Sequence, residues 1–193
     1  MSSQELGVVA DEPRLSSLRA DVANLIRRTD SGRLTLLKED GWIAVPVRSS
    51  AHLAQLHLQR LHDAWSDLAC RVAFAILLEP LRGVPEASET DTSLDGIRMF
   101  NRQFAHFNVA LYTPSPKAIV ICTTDDYFVI AGPEKFVTVA VGGSISEAYT
   151  RFAVFGAAAE WSEKGKAFFA SILTALRDEY PRLRPGGSLT FPS

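Results

Sequence analysis

Leu15, Leu18, Val22, Leu25 and Ile26 recur at steps of three or four residues, the spacing that lines one face of a helix with apolar side chains. Pro13 sits in the first turn of that segment, where its missing N–H is tolerated, and the polar run Thr29-Asp30-Ser31-Gly32 predicts its stop. The pattern then changes period. Residues 33–38 and 42–47 are rich in β-formers and flank Glu39-Asp40-Gly41, so a first hairpin is predicted, with Asp-Gly supplying the positive φ angles of its turn. Pro46 has no N–H to give to a ladder, which places it at a strand end or on a sheet edge. Helical spacing returns with Leu58, Leu61, Trp65, Leu68, Val72 and Ile76, predicting a long helix capped by Ser49 or Ser50 and ended by Pro80. From 68 to 78 that segment is apolar nearly all round, and periodicity alone does not separate helix from buried strand there.

Residues 81–92 include Gly83, Pro85, Glu86, Ser88, Glu89 and Asp91, a composition that cannot repay ordering entropy by burial, so a mobile acidic loop is predicted. Thr92 with Asp95 marks the start of a short helix carrying Ile97, Met99 and Phe100. From 105 to 112 the chain alternates, with Phe107, Val109 and Leu111 on one face and His106, Asn108 and Tyr112 on the other. Turns at Thr113-Pro114-Ser115-Pro116 and Thr124-Asp125-Asp126 link this strand to 118–123 and 127–131, a three-strand meander. Gly132-Pro133-Glu134 opens a brief helix that Gly142-Gly143 closes, Ser144 and Glu147 cap the next, and Ser162 begins a last helix ended by Pro181.

These elements predict an α+β fold, a single antiparallel sheet of about five strands (the two-strand hairpin plus the meander) packed against a long helix and C-terminal helices. Residues 13–180 are read as a single domain between a flexible N-terminus, 1–12, and a flexible tail, 181–193. The order of elements resembles that of roadblock and longin-type domains, in which a five-stranded antiparallel sheet sits between a long helix and terminal helices. The likeness rests on element order, without a shared motif, and implies a dimerising module without catalysis.

Charge narrows the partners. Twenty basic residues stand against 22 acidic ones for a net charge of -2, so no domain-wide field gathers phosphates or anionic lipids, and nucleic acid is not an expected partner. Arg27-Arg28 and Arg182-Leu183-Arg184 are too short for a continuous basic stripe. Cys70 and Cys122 lie in apolar runs without a CxxC pair, which reads as buried free thiols in a reducing, cytoplasmic compartment. The first residues lack the apolar run of a signal peptide, and the stretch 68–78, broken by Arg71, falls short of the about 20 residues a spanning helix needs, so no membrane association is expected.

Candidate chemistry is sparse. His52, His57 and His62 follow one another at steps of five, about 140° of helical rotation each, and do not converge as metal ligands from one helix; no metal or cofactor is implied. Asp125-Asp126 reads as a turn. Gly142, Gly143 and Ser144 precede a helix, where backbone N–H groups present themselves to an anion, although capping by Ser144 and Glu147 draws on the same donors. Trp42 and Pro46, beside the first turn, are candidate interface residues on an edge strand. The favoured function is a non-catalytic cytoplasmic protein-interaction or regulatory module that binds a protein partner or itself. Two alternatives stand beside it. One is a small-molecule sensor holding its ligand against the Leu58–Ile76 helix face or at Gly142-Gly143-Ser144. The other is an enzyme using His57, His62 or His106 as general base.

Overall fold

Runs such as Val109–Leu111, Ile119–Ile121 and Tyr127–Ala131 are buried at every position, so their strands are covered on both faces and read as continuous apolar stretches. A computed structural model describes residues 6–28, 34–36, 41–50 and 52–179; the expected stop at 29–32, residues 33 and 37–40 of the expected first hairpin and the expected tail, 181–193, lie outside them. In chain order the elements are β1 (Gly7–Val8), α1 (Glu12–Leu25), β2 (Ile26–Arg28), β3 (Leu34–Leu36), β4 (Trp42–Arg48), α2 (Gln55–Asp67), β5 (Val72–Leu77), β6 (Ala87–Asp91), α3 (Leu94–Phe104), β7 (Val109–Pro114), β8 (Lys117–Cys122), β9 (Tyr127–Pro133), α4 (Glu134–Val141), α5 (Ile145–Gly156) and α6 (Glu163–Glu179).

The α+β class holds, but the antiparallel sheet has seven strands, in the order β1-β6-β5-β7-β8-β9-β4, where about five were expected. The meander forms, but its first strand starts at Val109 and not at 105, and Tyr112, on the face expected to carry His106 and Asn108, is fully buried; the Thr113 and Thr123 hydroxyls donate to the carbonyls of Pro116 and Tyr127 at its two turns, at 2.9 and 2.6 Å. The additional strands come from three misread segments. The long helix stops at Asp67, where Ala69 takes a left-handed φ of 53° and the Cys70 N–H donates to the Trp65 carbonyl at 3.0 Å. Residues 72–77 then become β5, which β6 and β7 cover along both sides. Within the stretch 81–92, expected to be a mobile acidic loop, Ala87–Asp91 form β6, whose Ser88 and Thr90 are buried and small enough to pack, and the adjoining Thr92 hydroxyl donates to the Cys70 carbonyl at 2.6 Å. Near the N-terminus, Leu6 and Val9 are buried and β1 pairs with β6.

The first hairpin is also corrected. Gly41 has the positive φ, 78°, that its turn reading required, yet β3 pairs with β2 in a separate two-stranded ribbon and β4 pairs with β9. The β9 pairing gives β4 a seven-residue register, Trp42 to Pro133 through Arg48 to Tyr127, and buries Trp42 to 9% exposure. Ser49 and Ser50 do not cap α2: their hydroxyls donate to the His52 carbonyl, and the cap residue is Ala54. Caps elsewhere follow the sequence, with Ser144 and Ser162 accepting from Glu147 and Gly165 amides, and Ser93 in place of Thr92 accepting from Gly96.

α1 lies on the face that carries Phe74 and Tyr112, through Arg14 stacked 4.8 Å above Phe74 and the Tyr112 hydroxyl donating to Asp21 at 3.3 Å. α2 takes the opposite face, with His57 packed on Phe128, and α4 packs beside it through Phe136 on Trp65. α5 and α6 join at the β4 end through an aromatic cluster of Tyr127, Phe152, Phe155, Trp161, Phe168 and Phe169.

The Ser49 N–H donates to the Asp126 carbonyl at 2.9 Å, which fixes the ladder's parity: Ile43, Val45 and Val47 face β9, while Ala44, Pro46 and Arg48 turn their backbone groups to the outer edge. Pro46 therefore sits where its absent N–H breaks no ladder bond, as edge placement requires. Ala44 presents its carbonyl outward and accepts from the buried Tyr149 hydroxyl of α5 at 2.6 Å. Tyr149→Phe should destabilise the fold by about 1–3 kcal/mol, the cost of a buried carbonyl left unpaired; urea denaturation with an unchanged m-value checks it.

Candidate functional site

Past Ala44 the outer edge of β4 borders a cleft of about 370 Å³, enclosed by β4, α2, the C-terminal end of α4, and α5. Four cationic or ionisable side chains line it: Arg48, His57, Arg60 and Arg151. Each is held by a different local device. Arg48, last residue of β4, lays its guanidinium over the Phe155 ring, 4.7 Å from the ring centre. Arg60 follows His57 by three residues on α2, on the same face, and donates to the Val141 carbonyl at the end of α4, 3.0 Å away. Arg151 lies one turn after Glu147 on α5, 3.7 Å from its carboxylate, and keeps a mostly exposed side chain.

His57 packs edge-on against Phe128 at 5.1 Å, and its Nδ1 is buried without a hydrogen-bond partner. Burial, and secondarily the charge of Arg60, lower its pKa from the usual 6.5. A neutral imidazole beside three guanidinium groups is the consequence.

A second lobe of about 430 Å³ shares Arg48, His57 and Phe155 with the first and adds Ser49, Ser50, His52, Asp126, Glu160 and Trp161. The segment lining it is pinned by Asn101 of α3, whose side chain accepts from the Leu53 N–H at 2.8 Å and donates to the Leu53 carbonyl at 3.1 Å. The Trp161 indole N–H donates to the Phe155 carbonyl at 3.0 Å, holding the far wall.

The sequence candidates fall around this cleft unequally. Gly142 and Gly143 donate their N–H groups to the Val139 and Thr138 carbonyls within the last turn of α4, so the two glycine N–H groups already have internal partners, and the Ser144 hydroxyl accepts from the Glu147 N–H. Gly142 matters in another way: at φ 70° it closes α4, and a Cβ there would overlap the Arg60 guanidinium. Pro46 lines the cleft, whereas Trp42 is packed into the core, so the expected exposed aromatic at the edge is not found. Large apolar side chains stay on a surface only when nothing covers them, and β9 and the helices cover this one.

Among the histidines, His52 meets His106 edge-on at 5.2 Å and His62 Nδ1 lies 2.9 Å from the Thr92 carbonyl. Burial pushes the Cys122 thiol up to about 12, so it supplies no thiolate at neutral pH, and the buried Cys70 donates to the Val72 carbonyl at 3.3 Å. Asp125 and Asp126 are exposed turn residues. Arg48, Arg60, Arg151 and Asn101 were not singled out by sequence. Each arginine reads locally as an ordinary strand-end or helix-surface charge, and only the tertiary fold joins the three elements.

No family model, no curated protein and no solved structure matches the chain. Among the described residues no helix is long and apolar enough to cross a membrane.

Because the folded pKa of His57 lies below its unfolded value, the unfolded chain takes up this proton first as pH falls through about 6.5. Stability from His57 is thus present above that pH and is lost as pH falls toward the folded pKa. Urea midpoints at pH 8 and pH 5 should drop more for the wild type than for His57→Gln, with other titrating groups common to both.

Proposed function

We propose that this chain is a non-catalytic ligand-binding module whose cleft beside β4 takes a small anionic molecule. The observation that supports it is the convergence of Arg48, Arg60 and Arg151, from three separate elements, on a lobe with no carboxylate among its lining side chains. Guanidinium groups offer five donors each, and the internal partners of these three use few of them. A bound phosphate, sulfate or carboxylate replaces water on those donors and offsets the mutual repulsion of the cations.

In this cleft, binding without catalysis is favoured over His57 as a general base, because His57 Nδ1 has no hydrogen-bond partner among the described residues to fix the tautomer that proton transfer needs. A protein partner strand on the β4 edge finds little purchase, since Tyr149 occupies the Ala44 carbonyl and Pro46 offers no donor. Two free cysteines, one inert through burial, support a reducing, cytoplasmic compartment. The overall charge of -2 argues against nucleic acid as the source of the phosphate.

Calorimetric titration with inorganic phosphate at low ionic strength tests the reading. The wild type should bind, with affinity falling as salt rises, and Arg60→Ala and Arg151→Ala should each weaken binding about tenfold, the loss of one charge-assisted hydrogen bond. Gly142→Ala should weaken it too, by displacing Arg60. Equal heats for the wild type and an Arg48→Ala/Arg60→Ala/Arg151→Ala triple variant, with both folded by circular dichroism, would contradict it.

A further inference from the structure

The two lobes differ in charge. Arg60 and Arg151 line the inner one, whereas Asp126 and Glu160 line the outer one, and Arg48 and His57 stand where the lobes meet. The separation is built into the sheet register: Arg48 pairs with Tyr127, and the next rung sets Ser49 against Asp126 through the Ser49 N–H to Asp126 carbonyl bond. From Arg48, which lines both lobes, to Ser49, which faces Asp126, is one residue of about 3.3 Å, so the arginine-lined and carboxylate-bearing parts of the cleft abut at the end of β4. Asp126 holds a left-handed φ of 48° in the turn before β9, so its position is set by the backbone and not by a flexible arm.

We infer that the ligand is a small dipolar molecule, with a phosphate or carboxylate at one end in the Arg60–Arg151 lobe and a protonated amine a few bonds away facing Asp126 and Glu160. The inference rests on the anion-binding reading and adds the second half of the ligand. A purely anionic ligand would fill the inner lobe and meet two carboxylates in the outer one. An amine there converts that repulsion into attraction, and the half-enclosed cleft screens it less than bulk water does.

Phosphoethanolamine and propyl phosphate make a matched pair of probes, since they share a phosphate and a chain of similar length and differ in an ammonium against a methyl group. Calorimetry at pH 7 should show phosphoethanolamine binding about tenfold tighter, the increment of one charge-assisted hydrogen bond. An Asp126→Asn/Glu160→Gln variant should lose that preference and bind propyl phosphate at least as tightly as the wild type does, because two repelling carboxylates are gone; Asn tolerates the left-handed φ at 126. Equal binding of the two probes, or a preference that survives in the variant, overturns the dipolar ligand while leaving anion binding intact. Failure of both probes to bind overturns the anion-binding reading itself. Vesicles of phosphatidylethanolamine in phosphatidylcholine provide the membrane arm: capture by vesicles without binding of soluble phosphoethanolamine overturns a free small molecule as the ligand.

Discussion

The antiparallel pairing of β4 with β9 is the constraint on which the rest of the molecule's functional end depends. It brings a strand from near the start of the chain against the last strand of a meander, in a register seven residues long. The same register decides which backbone groups of β4 turn outward. Ala44 shows a carbonyl that Tyr149 of α5 claims, which draws that helix across the edge. Pro46 has nothing to donate, so the edge beyond Tyr149 is left without a complete ladder for another strand. The result is a concave strip bordered by α5 on one side and by α2 and α4 on the other, with Arg48 at its end.

Placing three guanidinium groups and an imidazole around one cleft is costly in the absence of a counter-ion, and the structure offsets the cost locally. Arg48 gains from the face of Phe155, Arg60 from the carbonyl that ends α4, where a cation also complements the helix dipole, and Arg151 from Glu147. His57 is left neutral by burial and by Arg60, which removes a fourth charge from the set. The same imidazole regains a reason to protonate once an anion enters, so occupancy and protonation are linked.

The parts of the fold legible in the sequence are those whose signals are local. The meander carries Pro and Asp at its turns, α4 ends on Gly142-Gly143, and Ser144 and Ser162 cap their helices through their own hydroxyls. The parts that were misread depend on partners far away in the chain. α2 stops at Asp67 and the chain turns at Ala69 in a left-handed conformation, without glycine or proline to announce it, so the apolar run that follows reads in the sequence as more helix. β6 hides as a polar loop because its buried positions are Ser88 and Thr90. β4 keeps the turn glycine of a hairpin while pairing with a strand about 80 residues later, a choice made by burial on both faces and not by the turn. The candidate site follows the same rule. In the sequence Gly142 reads as a source of free N–H groups, whereas its place beside the cleft comes from the room it leaves for Arg60. Arg48, Arg60 and Arg151 have no shared spacing to read, since each comes from an element that only the tertiary fold brings near the others.

The linkage between His57 and the arginine cluster offers the most direct test of anion binding in this cleft. The pKa of the His57 ring, followed by NMR with and without saturating phosphate, should lie below the usual 6.5 in the free protein and move upward when phosphate is present. A His57 pKa that is unmoved by phosphate would contradict an anion bound among Arg48, Arg60 and Arg151.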